Sequence, residues 1–317
     1  MLDRSAVDLV VYGTDPPSAL LDCVELAEAA GLGGVWVGDS PVLWRELYVL
    51  LGAAATRTAR VRLGPAVTNP VSRHLAVTAS ALMTLQELSG GRAALGLGLG
   101  ASAVRTVGAR PARLAELERA VAGLRALWAG GQDGLGYGAG QPPIPVHVGA
   151  SGPRMLELSG RIGDGCLAVV GLHPRQLEAA RERIAAGTPG EGFELTFWLP
   201  FAVADDTAQA REDVKSYVAR SLRHPLPAEL TPVEEKAAEL IRASYSYAQH
   251  LAPGAGHARM VPDEIVEGWA VSGTPEDCRE QLERLDLRPG ERIGLVPMGR
   301  DPKPAQVRRL LEEVLPR

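Results

Sequence analysis

The sequence predicts an α/β protein in which eight parallel β-strands and the helices between them close into a (β/α)8 TIM barrel. Short runs such as VDLVVYG and GVWVG are continuously apolar, as in parallel strands that are covered on both faces. Segments with helical length and spacing alternate with these runs. The 317 residues suffice for eight strand–helix units, and no change in composition divides the chain before residue 222. A doubly wound open sheet is the alternative.

Four strand–helix units account for the first part of the chain. Strands are expected at residues 7–13, 34–38, 60–68 and 92–99, and helices at residues 17–30, 44–56, 71–88 and 111–129. Gly31 ends the first helix, because glycine adopts the left-handed conformation of a helix C-terminus without strain. A glycine-rich loop at residues 130–140 leads into the second part.

Four further units follow, and their rhythm is interrupted once. Strands are expected at residues 145–149, 165–171, 194–204 and 292–298, and helices at residues 151–162, 174–186, 207–221, 274–285 and 304–315. Residues 224–271 contain more helical pattern than strand pattern, which predicts a helical insertion, at about residues 222–271, after strand seven. We expect residues 1–317 to form a single domain.

The third predicted strand has a disturbed backbone. Gly64 and Pro65 lie inside it, although proline removes a hydrogen bond from a central strand, and the strand ends at the turn pair Asn69-Pro70. Such a pattern fits either a bulged edge strand or a binding site at the carboxyl end of the strand. In a barrel of this kind the site lies where strands end and helices begin.

Polar and aromatic side chains follow the second predicted strand. Asp39 and Ser40 come directly after it, and Trp44 follows within a short loop. A carboxylate at this position can accept hydrogen bonds from a ligand, or it can cap the next helix. Trp44 is interpreted as a residue of the cleft wall or of the core.

The run GASGP after the fifth strand predicts an anion site. Ser151 and Gly152 open a helix whose free N–H groups favour a phosphate, and Arg154 adds charge from the first turn. A turn with a helix cap and no ligand is the alternative. The earlier run from Gly96 to Ala101 matches G-x-G-x-x-A, but it follows the fourth strand instead of the first, so we interpret its glycines as room for a ligand.

Composition and motifs exclude several classes of function. A net charge of −5 and a pI of about 5.8 give no dense basic surface for nucleic acid, and no apolar stretch is long enough for a membrane span. The N-terminus lacks a signal-peptide layout, and three scattered cysteines predict neither disulfides nor a zinc site, so the cytoplasm is expected. The histidines show no metal-ligand spacing, and His147, inside a strand, is interpreted as structural.

Several stretches together resemble the luciferase-like family of flavin- and deazaflavin-dependent oxidoreductases. They read GVWVGDSPVLWRELYV, RLGPAVTNPVSRHLAVTAS, LSGGRAALGLGLGASAVRTVG, PVHVGASGPRMLELSGRIGDG and VSGTPEDC. The similarity is greatest to the branch that uses coenzyme F420 and includes methylenetetrahydromethanopterin reductase. The resemblance implies a (β/α)8 barrel with an insertion after strand seven, a small-molecule substrate and a homodimer.

The resemblance also implies roles for individual residues. It implies a non-prolyl cis peptide bond between Ala66 and Val67 that supports the cofactor ring. Asp39 and Asn69 are expected at the ring or its ribityl chain. The remaining expected cofactor contacts are Leu99 and Gly100 beside the ribityl chain and Ser151, Gly152, Arg154 and Met155 at the phosphate.

The departures from the family pattern bear on the reaction. Related sugar-phosphate dehydrogenases carry a histidine where this chain has Ser40 and an acid where it has Ala101, so that acid–base pair is absent. This favours an F420-dependent reductase of a small organic substrate, with Asp39, Ser40 and Trp44 as the candidate catalytic residues. An FMN-dependent monooxygenase of the same fold is the alternative, and a catalytically silent cofactor-binding barrel is a third hypothesis. The insertion is expected to roof the site, with Tyr245, Tyr247, His250 and His257 as candidate contacts.

Overall fold

Nine parallel β-strands form the centre of the protein. The structure is a computed structural model that describes residues 2–132 and 134–315; residues 1, 133, 316 and 317, which the predicted domain and glycine-rich loop include, lie outside the described residues. The strands are β1 (Val7–Val11), β2 (Gly34–Val37), β3 (Arg62–Pro65), β4 (Leu95–Leu97), β5 (Val146–Ala150), β6 (Gly165–Ala168), β7 (Glu194–Val203), β8 (Val271–Gly273) and β9 (Arg292–Pro297).

Helices connect these strands and cover the outside of the sheet. They are α1 (Pro17–Ala30), α2 (Leu47–Ala55), α3 (Leu75–Ser89), α4 (Ser102–Arg105), α5 (Leu114–Ala129), α6 (Pro153–Ile162), α7 (Pro174–Ala186), α8 (Thr207–Leu222), α9 (Pro232–Ser244), α10 (Asp263–Val266), α11 (Pro275–Glu283) and α12 (Lys303–Arg309). A π-helical turn, Leu310–Val314, follows α12. None of the helices in the described part of the chain is long and apolar enough to cross a membrane.

The strands close into a ring, which confirms the predicted (β/α)8 barrel. Their order is β3-β2-β1-β9-β7-β6-β5-β4, and each neighbouring pair in this order is parallel. Isolated bridges from Leu63 to Ala93 and from Thr68 to Leu97 join β3 to β4 and complete the circle. β1 and β2 illustrate the reason for the fold. All nine of their residues are buried, so these strands need helices to cover the outer face of the sheet.

The structure differs from the predicted elements in a few places. The short strand β8, which pairs with the end of β7, and the one-turn helix α4 were not predicted. Three residues carry too little periodicity to show β8, and it is defined by Phe201, Ala202 and Val203 on the facing strand. The predicted helix at residues 44–56 begins only at Leu47, because Glu46 caps it by accepting from the Val49 N–H at 2.9 Å.

Two ion pairs occupy the barrel interior near the amino ends of the strands. Arg292 donates to Asp8, whose carboxylate also accepts a hydrogen bond from the Trp36 indole N–H at 3.0 Å. Arg62 pairs with Glu194, with 2.9 Å between Nη2 and Oε1. Polar groups therefore fill the floor of the barrel and leave its opposite end for a cavity.

Helical segments cover that opposite end between β7 and β8. Here the chain forms α8, α9, the 3-10 turns Tyr247–Gln249 and Gly256–Met260, and α10. Val214, Val218 and Leu222 of α8 are buried, and α8 packs against both α9 and the turn at residues 256–260. This packing brings side chains of α8 and of the 3-10 turns over the ends of the strands.

Candidate active site

A cavity of about 580 Å³ opens at the carboxyl ends of the barrel strands. This is the size of a typical small-molecule site, and it lies where such barrels place their chemistry. Its wall includes ten of the residues predicted from the sequence: Asp39, Trp44, Ala66, Val67, Leu99, Gly100, Ser151, Gly152, Arg154 and Met155.

One half of the cavity, at the ends of β3, β4 and β5, is lined mainly by backbone and small side chains. The Ala66–Val67 peptide bond is cis. The Val67 side chain fills the space in which side chains at Gly98 and Gly149 would stand, since a Cβ there would lie 2.8 and 2.9 Å from its methyl carbons. Any larger residue at either glycine would displace Val67, so the two glycines define the shape of this half, which we call the backbone-lined half.

Asp39 lies at the edge of the backbone-lined half and is held in a network. Its Oδ2 accepts hydrogen bonds from the Thr68 hydroxyl at 2.6 Å and from Arg73 Nη1 at 2.5 Å. Arg73 also donates to Glu46 at 2.7 Å. The carboxylate is therefore neutralised by an ion pair and fixed in orientation, while its residue still contributes to the cavity wall.

Ser40 and Asn69, both predicted as site residues, are not brought to the cavity wall. The Ser40 hydroxyl is buried and donates to Ser102 Oγ at 3.1 Å. Asn69 Oδ1 accepts from the N–H groups of Val71 and Ser72 at 3.0 and 2.8 Å. The Asn69 side chain thus organises the turn that follows β3.

The start of α6 forms one end of the backbone-lined half. Gly152 is its N-cap and supplies no side chain to satisfy the first turn. Within the described chain, the N–H groups of Gly152 and Arg154 have no hydrogen-bond acceptor. Arg154 is exposed beside them and has no carboxylate partner among these residues. Free amides at a helix start and a free guanidinium form a site suited to phosphate.

The other half of the cavity, which we call the aromatic half, is built from β1, the loop after β2 and the segments after β7. The rings of Tyr12 and Trp44 stack with their centres 4.6 Å apart, and the His250 ring lies 5.9 Å from Trp44. Nδ1 of His250 is 2.5 Å from the Tyr245 hydroxyl. Burial, and then the nearby arginines, lower the pKa of His250 well below 6.5, so the ring is neutral at pH 7. A neutral imidazole can donate a hydrogen bond to a substrate oxygen or nitrogen.

Three arginines that were not predicted from the sequence also line the cavity, together with His224: Arg105, Arg220 and Arg223. The Arg223 guanidinium lies over the rings of Tyr245 and Tyr247, 4.2 and 4.8 Å from their centres. Arg105 also lies over the Tyr247 ring, with its guanidinium carbon 5.3 Å from the ring centre. In the sequence these arginines resemble the solvent-facing charges of ordinary helices. The packing of α8 over the barrel directs Arg220 and Arg223 inward, whereas Arg105 reaches the cavity from the end of α4.

His147, which was interpreted from the sequence as a structural histidine, does not line the cavity. It is buried in the barrel interior, with its ring 5.4 Å from that of Trp36 and its Nε2 3.9 Å from Glu194 Oε2. No group of three or more His, Cys, Asp or Glu side chains within residues 2–132 and 134–315 is placed to hold a metal ion.

Comparison with known proteins identifies the family. The model of the luciferase-like monooxygenase family matches residues 2–288. This chain belongs to that family. The match covers strands β1 to β8, the residues that line the cavity and the segments that roof it, and it confirms the resemblance found in the sequence.

Two relatives of known name and one solved structure are similar to this chain over most of its length. A 5,10-methylenetetrahydromethanopterin reductase from Archaeoglobus fulgidus is 33% identical over 285 residues, 83% of this chain and 84% of the relative. The enzyme of the same name from Methanolobus tindarius is 30% identical over 308 residues, 90% and 92% of the two chains. The solved structure of an F420-dependent secondary alcohol dehydrogenase in complex with an F420-acetone adduct has a TM-score of 0.77 at 19% identity, covering 99% of each chain, and shows the shared fold.

Proposed function

We propose that this protein is an F420-dependent oxidoreductase that transfers a hydride between the deazaflavin and a small organic substrate. The observation that carries a phosphate-bearing cofactor is the start of α6, which is suited to phosphate and lies at one end of a cavity wall made mainly of backbone. The choice of F420 depends on the relatives. Relatives named as F420-dependent enzymes or as methylenetetrahydromethanopterin reductases support it. When bound, the reduced cofactor supplies the hydride, and the protein supplies binding and orientation.

The backbone-lined half is where we place the cofactor. The free N–H groups of Gly152 and Arg154 and the Arg154 guanidinium would hold its phosphate, with Ser151 and Met155 beside them. Val67, Leu99 and Gly100 would line the ring and its ribityl chain, and Asp39 would contact the ring edge from the opposite wall. Small side chains along this half leave room for a flat tricyclic group.

Reduction of an acceptor is the direction that the residues favour. Ser40 and Ala101 supply no acid–base pair, so the proton acceptor that oxidation of an alcohol needs is missing at these positions. The Ser40 hydroxyl is engaged by Ser102, which leaves Trp44 and the aromatic half to contact the substrate. We therefore propose a reductase that uses the reduced cofactor.

An FMN-dependent monooxygenase is the second candidate, because the family is named for such enzymes and the site at α6 suits the phosphate of FMN equally well. Titration of the purified protein with F420 and, separately, with FMN distinguishes them by absorbance and fluorescence. Saturable binding of F420 alone supports the proposal. Binding of FMN alone supports the FMN-dependent monooxygenase instead. If neither binds, the proposed function is wrong and a catalytically silent barrel remains.

Substituting Arg154 by glutamine in the same titration should weaken F420 binding about tenfold, as expected for the loss of one charge-assisted contact to phosphate. The thermal midpoint should not change, because Arg154 is exposed. Arg161→Gln is the matched control on the same helix, since Arg161 is 58% exposed and pairs with Glu118 instead. Equal F420 affinities for the two variants would contradict the placement of the phosphate.

We also propose that the protein is a cytoplasmic homodimer. Val42, Val49 and Val77 are more than half exposed on or beside the neighbouring helices α2 and α3, and an apolar surface of this kind favours association. Light scattering after size-exclusion chromatography should give twice the 33.5 kDa mass of the chain. Charging this surface by Val49→Asp should yield the monomer, and a monomeric wild-type protein would contradict the proposal.

A further inference from the structure

Arg220 lines the cavity, and its positive charge has no negatively charged partner in the described part of the chain. It lies in the last turn of α8, with its guanidinium carbon 5.3 Å from the centre of the Tyr217 ring. Its Nη1 is fully buried and has no hydrogen-bond partner in the described part of the chain. No carboxylate of residues 2–132 and 134–315 lies within 4.0 Å of it. A buried charge that is left unpaired is costly, so a ligand that pairs with it gains from the contact.

The surrounding residues do not neutralise Arg220. Burial raises the pKa of the Tyr12 phenol well above 10, so Tyr12 stays uncharged. Asp39, the carboxylate of the described cavity wall, is already paired with Arg73 at 2.5 Å. Burial, and after it the charge of Arg220, lowers the pKa of His224 to about 3. The aromatic half therefore has an excess of positive charge at pH 7.

The neighbouring Arg223 differs from Arg220 in being engaged by the protein. Arg223 donates to the Tyr247 hydroxyl, and its Nη2 lies 3.0 Å from His224 Nε2. Its guanidinium is also stacked on the Tyr245 ring at 4.2 Å. These contacts hold Arg223 within the roof, whereas the hydrogen-bonding capacity of Arg220 is left for a molecule in the cavity.

We propose that Arg220 binds the anionic group of the substrate, an organic carboxylate or phosphate whose apolar body lies against Tyr12 and Trp44. A guanidinium donates two parallel hydrogen bonds to either kind of anion, and both rings line the same half of the cavity. This inference rests on the proposed function, because it assigns the aromatic half to the hydride acceptor and the backbone-lined half to the cofactor.

Calorimetric titration of the F420-saturated protein with benzoate, phenyl phosphate and the neutral analogue benzamide tests this inference. At least one of the two anions should bind about tenfold more tightly than benzamide, and which one does so distinguishes a carboxylate from a phosphate substrate. Arg220→Met should abolish the preference and leave the F420 affinity unchanged. Arg220→Lys, which keeps the charge, should retain part of it. Arg211→Met is the matched control, because Arg211 lies on the same helix but outside the cavity wall, and it should keep the full preference.

The inference is overturned if the wild-type protein binds benzamide as well as both anions, or if Arg220→Met keeps the preference. Loss of F420 affinity in Arg220→Met would also overturn it, because Arg220 would then belong to the cofactor site. If circular dichroism shows that Arg220→Met is unfolded, Arg220→Lys and Arg220→Gln are compared instead. The inference then requires a preference for the anions in Arg220→Lys that is absent from Arg220→Gln. If the wild-type protein does not bind F420, the proposed function is wrong, but the role of Arg220 is still tested. The affinities of the three probes are then compared on the cofactor-free protein.

Discussion

Replacing Asp8 by alanine is expected to lower the free energy of unfolding by about 3–5 kcal/mol, as is typical when one partner of a buried ion pair is removed. The Asp8 side chain is 2% exposed and that of Arg292 is 17% exposed, so the substitution leaves a largely buried guanidinium without a partner. It also removes the acceptor of the Trp36 indole N–H. Urea unfolding followed by tryptophan fluorescence and circular dichroism measures the loss.

Two comparisons make the Asp8 result specific. In the double variant Asp8→Ala, Arg292→Met the unpaired charge is gone, so the loss should be smaller than in Asp8→Ala alone. Glu25→Ala breaks the exposed pair with Arg57, whose side chains are 50% and 47% exposed, and should cost about 0.5 kcal/mol or less. If Asp8→Ala costs no more than Glu25→Ala, the ion pair does not stabilise the barrel floor.

The barrel could be predicted from the sequence because its determinants are local. Each strand is a short apolar run, and the helix that follows begins and ends at its own capping residues, as Gly31 does for α1 with a φ of 75°. The partner of Asp8 could not be predicted in the same way. Arg292 is 284 positions away, and only closure of the ring through the pairing of β1 with β9 brings the two together.

The residues that line the two halves of the cavity differ in how well they could be predicted from the sequence. The backbone-lined half comes from strand ends. The rule that sites lie at the carboxyl ends of barrel strands, together with the family resemblance, indicated Val67, Gly100 and Ser151. The same rule does not show which way a side chain turns, and Asn69 bonds to its own turn instead of lining the cavity. Arg220 lies on a helix after β7, and its direction is decided by tertiary packing alone.

Acidification from pH 7.5 to 5 is expected to lower the free energy of unfolding by roughly 4–6 kcal/mol through three buried histidines. Burial lowers the pKa of His147 to about 4 and that of His224 to about 3, and it lowers the pKa of His250 well below 6.5. In the unfolded chain these histidines titrate near 6.5. Between pH 6.5 and about 4 the unfolded state therefore binds more protons than the folded state, and stability falls as pH falls.

The contribution of one histidine to this acid sensitivity can be isolated with His147→Gln. A histidine that stays neutral when folded costs about 1.4 kcal/mol for each pH unit below 6.5, which is about 2 kcal/mol at pH 5. Urea unfolding at pH 7.5 and at pH 5 should therefore show a difference about 2 kcal/mol smaller in His147→Gln than in the wild-type protein. His74→Gln is the matched control, because His74 lies at the exposed start of α3, where its Nδ1 accepts from the Ala76 N–H at 3.3 Å. Equal stabilities of the wild-type protein at the two pH values would show that these histidines take up protons in the folded state. The assignment of a neutral His250 ring to the cavity would then be wrong as well.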